Sequence, residues 1–204
     1  MPLITTGLYA RCDDVANEAE TTYYLRFYIN SALISLYMIS NYNSKDDNIY
    51  ESKGQYYHFY VDHLLYSMGQ ISERFRLSKK CKKNEYDERR IINRKNYQFS
   101  DKEFPILSNK DFRNTIEHID EHNINVIAEY TGVGGFNYID DSTSESLNDK
   151  LLSKRINHIY TLNLRKNEVY ITRNGNELTL DLTSLKAELN HLMENANSFA
   201  SFIE

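Results

Sequence analysis

The 204-residue sequence contains no tryptophan, two prolines, seven glycines and two cysteines. Proline and glycine interrupt helices and form tight turns, so their scarcity favours long helices joined by few loops. Cys12 and Cys81 lie far apart and belong to no C-x-x-C pair, which argues against a disulfide framework and against a cysteine-based zinc site. No apolar run approaches the roughly 18 residues of a membrane span, and the N-terminus lacks the pattern of a signal peptide. We therefore expect a cytoplasmic protein with no membrane partner.

The composition is that of a globular protein, with 41% apolar and 26% charged residues. A chain of this length can bury one hydrophobic core, and we expect a single domain over residues 1–204. The 17 tyrosines are the most unusual feature. Because most of the tyrosines in the first half of the chain fall at helical spacing, we interpret them as packing residues.

Two long helices are predicted in the first 80 residues. The first covers 14–41, and the second runs from about 54 to 78. Apolar residues of the second helix recur at alternating intervals of four and three, the pattern of a helix packed lengthwise against another. This stripe contains Tyr57, Val61, Leu64, Met68, Ile71 and Phe75. We expect four neighbouring aromatic residues to thicken it: Tyr56, Phe59, Tyr60 and Tyr66.

The rest of the chain predicts a third helix, a β-meander and a final helix. Ser108 and Asp111 have the spacing of a capping box, which indicates a helix to about residue 123. The glycine-rich segment 132–135 is interpreted as a turn. Alternating residues over 159–164, 169–172 and 178–182 predict three antiparallel strands, a β-meander within 155–182, with Asn174-Gly175 as a hairpin turn. The final helix covers 183–202.

The charge of the chain is strongly polarised along the sequence. Residues 74–95 contain ten basic and three acidic residues, a local net charge of +7, whereas the whole chain carries −5 and the remainder therefore −12. Such a run is either a solvated helix end and loop or a track that contacts a phosphate backbone. In the second interpretation the nucleic-acid-binding residues include Lys79, Lys80, Lys82, Lys83, Arg89 and Arg90.

Polar residues with catalytic potential fall on the third predicted helix. Phe112, Ile116 and Ile119 define its buried stripe, and at 3.6 residues per turn Asn114 lies almost opposite. Arg113 and His118 would flank this polar face. Because they are five positions apart, they would bracket a shallow surface without facing each other directly. A second copy packed across a two-fold axis would bring two arginines and two histidines to one cleft.

The segment from Arg113 to His118 resembles the R-x(4–6)-H motif of the HEPN superfamily, the higher eukaryotes and prokaryotes nucleotide-binding domains. The resemblance covers about residues 14–125 and implies a mainly α, HEPN-like helical bundle that dimerises through the motif helix. Many HEPN proteins are metal-independent ribonucleases of toxin–antitoxin and phage-defence systems. The resemblance therefore implies an endoribonuclease that acts on RNA without a cofactor and has an antitoxin protein as a further partner. It also implies roles for three residues: His118 moves protons, Arg113 stabilises negative charge and Asn114 orients the phosphate.

Four other interpretations stay open at the level of sequence. A HEPN-like dimer could hold nucleic acid or a protein through the basic segment without catalysis. A metal-binding helical bundle resembling the DinB-like proteins would use His118 and His122 with His58 or His63. The residues from His118 to His122 also fit the H-x-x-E-H pattern of inverted zincins, although a chain this short offers no obvious room for that fold. Salt bridges of Arg113 and His118 with neighbouring carboxylates would be a purely structural alternative.

Overall fold

The computed structural model describes residues 2–42, 52–77, 85–109, 111–112, 135–143, 158–173 and 176–203. This part of the chain is mostly helical, with a small mixed β-sheet towards its C-terminal end. None of its helices is long and apolar enough to cross a lipid bilayer. The elements are α1 (Pro2–Ser40), α2 (Lys53–Glu73), α3 (Glu85–Asn96), β1 (Gly135–Ile139), β2 (His158–Asn163), β3 (Glu168–Arg173), β4 (Asn176–Asp181) and α4 (Leu182–Ile203).

Helix α1 packs against both α2 and α4. The predicted stripe of α2 is confirmed from Tyr57 to Ile71, since all of its apolar members are buried. Helix α4 buries Leu185, Leu189 and Leu192, again at the predicted helical spacing. Buried residues of these three helices and of strands β2, β3 and β4, including Leu162, Val169 and Leu180, belong to one hydrophobic cluster, so the sheet shares the core of the helices.

Helix α2 ends at Glu73, five residues before its predicted end. The backbone N–H of Arg74 donates to the carbonyl of Ile71, and that of Phe75 donates to the carbonyl of Ser72, each at 3.1 Å, which closes the last turn. The Arg74 guanidinium donates to the carbonyl of Gln70 at 2.7 Å and lies 5.1 Å from the ring centre of Tyr28. A cationic side chain that binds the last carbonyls stabilises a helix C-terminus. Phe75 leaves the helix and stacks on Phe99 at 4.1 Å.

The aromatic residues of α2 do not all pack inward as predicted. Tyr56 is buried, and its hydroxyl donates to the carbonyl of Met38 at 2.9 Å. Phe59 and Tyr66 are about half exposed, at 51% and 53%. The prediction that they thicken the buried stripe is therefore wrong, because they lie on the flank of α2 that neither α1 nor the sheet covers completely.

The sheet has the strand order β1-β2-β3-β4. Strands β2, β3 and β4 lie within two residues of their predicted positions and pair antiparallel in sequence order. Asn167 adopts a positive φ of 57° in the turn between β2 and β3, a conformation that asparagine tolerates better than most residues. The last pair of the β3–β4 ladder is Arg173 with Asn176, and the two residues between them are those of the predicted hairpin turn. Asn174 and Gly175 themselves lie outside the described residues.

Strand β1 corrects the predicted β-element. It pairs parallel with β2, which makes the sheet four-stranded and mixed, whereas the sequence predicted three antiparallel strands only. The predicted turn 132–135 ends where β1 begins, at Gly135, and residues 132–134 lie outside the described residues. The strand is five residues long and carries Phe136, Tyr138 and Ile139. Because its pairing partner begins more than twenty positions later, no local pattern indicates the parallel pairing.

The third predicted helix is described only at its start. Asp111 and Phe112 are helical, and the Asp111 N–H donates to the Asn109 side chain at 2.9 Å. The observed cap is therefore Asn109, one position after the predicted Ser108. Just before it, Phe104 stacks on Phe99 at 4.6 Å, and the backbone N–H groups of Ile106 and Leu107 donate to Glu188 of α4.

Candidate functional site

The predicted catalytic residues Arg113, Asn114 and His118 lie outside the described residues, as does His122. The nearest described residues are Asp111, which is exposed, and Phe112, which is 6% exposed and belongs to the hydrophobic cluster. Phe112 is the first residue of the predicted buried stripe. Its burial agrees with that stripe, and the position of the catalytic residues stays a prediction.

The basic segment is described over residues 74–77 and 85–95, and its predicted contacts Lys79, Lys80, Lys82 and Lys83 lie in the interval between. On α3, three side chains reach carbonyl groups at the end of α2. Arg90 donates to the Glu73 carbonyl at 3.1 Å, Asn93 to the Arg74 carbonyl at 3.1 Å, and Arg94 to the Phe75 carbonyl at 2.9 Å. One face of α3 therefore stabilises the C-terminal end of α2.

Arg89 and Arg90 differ sharply although they are neighbours in the sequence. Arg90 is partly buried and forms an ion pair with the Glu73 carboxylate in addition to its carbonyl contact. Arg89 is exposed. Of the two predicted nucleic-acid contacts that the structure describes, Arg89 is thus available to solvent, whereas the guanidinium of Arg90 is engaged in holding α3 to α2.

His58, the alternative metal ligand, belongs to α2 and contacts the sheet. Its ring stacks on Phe136 of β1 at 5.2 Å, and its Nε2 lies 3.2 Å from the carboxylate of Asp62, one helical turn onward. Within the described ranges, no group of three His, Cys, Asp or Glu side chains could hold a metal ion. The other proposed ligands, His118 and His122, lie outside those ranges, so the metal hypothesis stays untested.

The most concentrated group of charged and aromatic side chains in the described residues surrounds Lys53, the first residue of α2. Its ammonium lies 2.6 Å from the Asp140 carboxylate, directly after β1. Three tyrosine rings surround the same ammonium, with centres 5.2 Å, 5.8 Å and 5.6 Å away for Tyr42, Tyr57 and Tyr138. Such distances allow cation–π attraction. The group joins the end of α1, the start of α2 and the end of β1.

The electrostatics of this group keep Asp140 ionised. Hydrogen bonds from Lys53, Ser142 and Thr143 hold the pKa of the Asp140 carboxyl far below its usual range. Burial, together with the negative charge of Asp140, raises the pKa of Tyr57 to about 12, so its hydroxyl keeps its proton at neutral pH. Neither group is therefore poised to exchange a proton near pH 7, as a general acid or base would be.

A depression of about 400 Å³ opens beside this group and is lined by Lys53, Tyr57, Asp140, Asp141, Ser142 and Leu164. At its rim, the Arg165 guanidinium donates to the backbone carbonyls of Asp141 and Thr143. Because the charges of Lys53 and Asp140 neutralise each other, we interpret the side chains around Lys53 as a structural contact that holds the helices to the sheet. Sequence reasoning missed it, since the partners are 87 positions apart and only the turn-forming residues after Asp140 were indicated locally.

Compared with protein-family models, with curated proteins and with solved structures, the chain shows no match. The function is therefore inferred from the motif, from the described geometry and from charge.

Proposed function

We propose that the protein is a HEPN-like, metal-independent endoribonuclease that works as a homodimer, with Arg113, Asn114 and His118 as its catalytic residues. The observation that carries the proposal is the placement of Phe112. This residue starts the predicted motif helix and is buried in the core, while Asp111 beside it is exposed. With Phe112 inward, helical periodicity assigns Asn114 and His118 to the outer side of the predicted helix.

The chemistry requires no metal ion. A histidine side chain titrates near neutral pH, so it can take the proton of a ribose 2′-hydroxyl or give one to the leaving 5′-oxygen. A guanidinium beside it stabilises the negative charge that develops on the phosphate. Because the attacking group is the 2′-hydroxyl, the proposed reaction cleaves RNA, leaves DNA intact and yields a 2′,3′-cyclic phosphate end.

The polarised charge of the chain supports RNA as the substrate. An RNA backbone is attracted to a local excess of positive charge even when the net charge of the protein is −5. Exposed Arg89 provides one such charge on α3. A toxin of this type would act in the cytoplasm and would be held in check by an antitoxin protein, which we include in the proposal as an expected partner.

Cleavage of end-labelled RNA in the presence of EDTA tests the proposal. We expect cleavage of RNA, none of DNA with the same sequence, and a loss of about 10²-fold or more in rate for His118→Ala. His63→Ala is the matched control, because His63 is an exposed histidine on α2 outside the proposed site. No cleavage across several RNAs, or full activity of His118→Ala, would contradict the proposal.

A non-catalytic binding module is the competing function. It predicts RNA binding that weakens with salt and with charge reversal at Lys79, Lys80, Lys82 and Lys83, but that is unaffected by Arg113→Ala. Cleavage and binding assays on the same variants separate the two functions.

A further inference from the structure

Helix α1 carries large apolar side chains on two opposite faces. The inner face packs on α2 and α4 and includes Leu25, Ile29 and Leu36. On the outer face, four large side chains are more than half exposed: Tyr23 at 66%, Phe27 at 51%, Ile34 at 58% and Tyr37 at 63%. A helix on the surface of a globular protein normally carries polar residues on its outer face. The outer face of α1 therefore has the composition of a covered surface.

Helix α4, which also packs on α1, provides a comparison. Over residues 182–201, where burial is described, the exposed residues of α4 are small or polar, including Lys186, Asn190 and Glu194. By contrast, residues 27–42 at the end of α1 contain no charged residue at all. Large apolar side chains are also about half exposed on α2 (Phe59, Tyr66) and α3 (Ile91, Ile92), but α4 shows that the composition of the chain does not force such side chains onto every helix surface.

The exposed residues of α1 form a regular stripe. Tyr23, Phe27, Asn30, Ile34 and Tyr37 follow one another at intervals of four, three, four and three, and Asn30 is exposed at the centre. This is the spacing of residues through which one helix packs lengthwise on another. We call these five residues the outer stripe.

The outer stripe is nearly symmetric about Asn30. If a second copy of α1 packs antiparallel across a two-fold axis at Asn30, Tyr23 meets the partner's Tyr37 and Phe27 meets the partner's Ile34. The two Asn30 amides then face each other and can pair as donor and acceptor. A surface that matches itself in this way is what an isologous two-fold interface requires.

Charge favours a second copy of α1 as the partner, and the exposed area supplies about half of a standard interface before neighbouring side chains are included. Exposing half to two thirds of an aromatic side chain leaves roughly 100 Å² to be covered, so the four large residues contribute about 400 Å² per copy. That is about half of the roughly 800 Å² per partner in a standard interface. Ring contacts extend the surface sideways, from Tyr23 to Tyr24 at 5.5 Å and from Phe27 to Tyr28 at 5.3 Å, with Tyr66 of α2 a further 6.2 Å from Tyr28. Because 27–42 lack positive charge, a phosphate backbone is disfavoured there.

We infer that the outer stripe of α1 is a homodimer interface, formed by antiparallel packing of two α1 helices about Asn30. The inference does not rest on the proposed nuclease function, and it assigns a face of the molecule different from the motif helix. If the motif helix also joins two chains, the two contacts together build a larger assembly.

Charge substitutions at paired positions test the arrangement. We expect Phe27→Glu or Ile34→Lys alone to halve the molar mass measured by light scattering, because each buries a charge against an apolar partner. The double variant Phe27→Glu/Ile34→Lys should restore the mass, since each glutamate then meets the partner's lysine. Within one chain these positions are seven residues, or about 10 Å, apart, so they cannot pair on their own. Lys186→Glu on α4 is the control and should leave the mass unchanged.

A cysteine at the symmetry axis gives an independent measurement. Helices packed 8–10 Å apart bring facing Cα atoms to about 4–5 Å, a separation that a disulfide can span. In a Cys12→Ser/Cys81→Ser background, Asn30→Cys should form a covalent dimer under mild oxidation, whereas Asn190→Cys on α4 should not. Circular dichroism confirms that each variant is folded.

Several results would overturn the inference: a monomeric wild-type protein, unchanged mass in both single variants, or a double variant that stays dissociated. Loss of RNA binding in Phe27→Ala without a change in mass would assign the stripe to nucleic acid instead. Failure of the nuclease assay leaves the inference untouched, and an unchanged mass leaves the nuclease proposal untouched.

Discussion

Lys53 and Asp140 form an ion pair in which the two carboxylate oxygens have separate roles. Oδ2 lies 2.6 Å from the Lys53 ammonium. Oδ1 accepts hydrogen bonds from the backbone N–H and hydroxyl of Ser142 and from the Thr143 hydroxyl. The pair therefore fixes the turn after β1 and, at the same time, ties that turn to the first residue of α2. Aromatic contacts support the same junction, with Tyr57 beside Tyr138 and His58 on Phe136.

The division of roles predicts the effect of an isosteric substitution at Asp140. Asp140→Asn keeps an oxygen for the turn but removes the charge that faces Lys53. We expect the free energy of unfolding to fall by about 1–2 kcal/mol, below the upper part of the roughly 1.5–3 kcal/mol of a hydrogen bond to a charged group, because the Lys53 side chain is partly exposed to solvent. Urea denaturation measures the change. In a double-mutant cycle with Lys53→Met, the two losses should be clearly non-additive; additive losses would show that the pair contributes no coupling.

The same pair predicts how stability depends on acid. Hydrogen bonds and the charge of Lys53 lower the pKa of Asp140 below its ordinary value of 3.8. The folded state then binds this proton less readily than the unfolded state, so the stabilisation is fully present above pH 3.8 and is lost as the pH falls below it. We expect the part of the acid-induced decrease in the free energy of unfolding that comes from Asp140 to be absent in Asp140→Asn. Parallel stability curves for the two proteins below pH 4 would contradict the assignment.

Glu188 is a buried carboxylate that binds backbone groups. Its oxygens accept from the N–H of Ile106 at 2.9 Å and from that of Leu107 at 3.0 Å, which orders the segment before the third predicted helix. Glu188→Ala leaves one buried and one partly buried donor without this acceptor and should cost about 2–4 kcal/mol. Glu188→Gln keeps one oxygen and should cost less. Equal losses in both variants, measured by urea denaturation, would show that the hydrogen bonds do not stabilise the fold.

The pH dependence from Glu188 has the opposite sign to that from Asp140. Burial raises the pKa of Glu188 above its ordinary value of 4.5, partly offset by the two backbone hydrogen bonds. The folded state therefore holds this proton more tightly, and the associated stability is present below pH 4.5 and lost as the pH rises through the folded-state pKa. Between pH 4.5 and the folded-state pKa of Glu188, the free energy of unfolding of the wild-type protein should fall relative to that of Glu188→Gln. A constant difference between the two across the interval would contradict the raised pKa.

The sequence predicted α2, α4 and three strands well because their signals are local. Helix α1 begins at Pro2, twelve residues before its predicted start, and α3 was not predicted, because the basic segment was interpreted as a helix end and loop or as a phosphate contact. The stripe of α2 and the leucines of α4 are visible as periodicity, and strands β2 to β4 as alternation between turns. The parallel strand β1 could not be predicted in this way, since its pairing with β2 depends on residues far apart in the chain. The early end of α2 also depends on tertiary contacts, namely Arg74 on Tyr28 and Phe75 on Phe99.

The candidate site also contains features with a local sequence signal and features that depend on tertiary contacts. A motif such as Arg113 to His118 can be identified from spacing alone, whereas the partners of Lys53 come from three separate elements. Periodicity also failed to distinguish the two faces of α1, because both carry apolar residues at helical spacing. Only exposure in the folded chain separates the buried stripe from the outer stripe.

The adjacent residues Arg89 and Arg90 of α3 should contribute differently to stability. Arg89→Gln and Arg90→Gln each remove one positive charge, but only Arg90 is bound to the Glu73 carboxylate and carbonyl. Arg90→Gln should therefore lower the free energy of unfolding by about 1–2 kcal/mol, whereas Arg89→Gln should change it by less than about 0.5 kcal/mol.

RNA binding should show the reverse order. If Arg89 contacts a phosphate of single-stranded RNA, its removal lowers the slope of log affinity against log salt concentration by about 0.7. Arg90→Gln should lower it less, because the guanidinium of Arg90 is already paired with a carboxylate. Filter binding across a salt series measures both slopes. Equal slopes for wild-type protein and Arg89→Gln would exclude Arg89 from the RNA interface, and a larger effect of Arg90→Gln would mean that its ion pair with Glu73 opens when RNA binds.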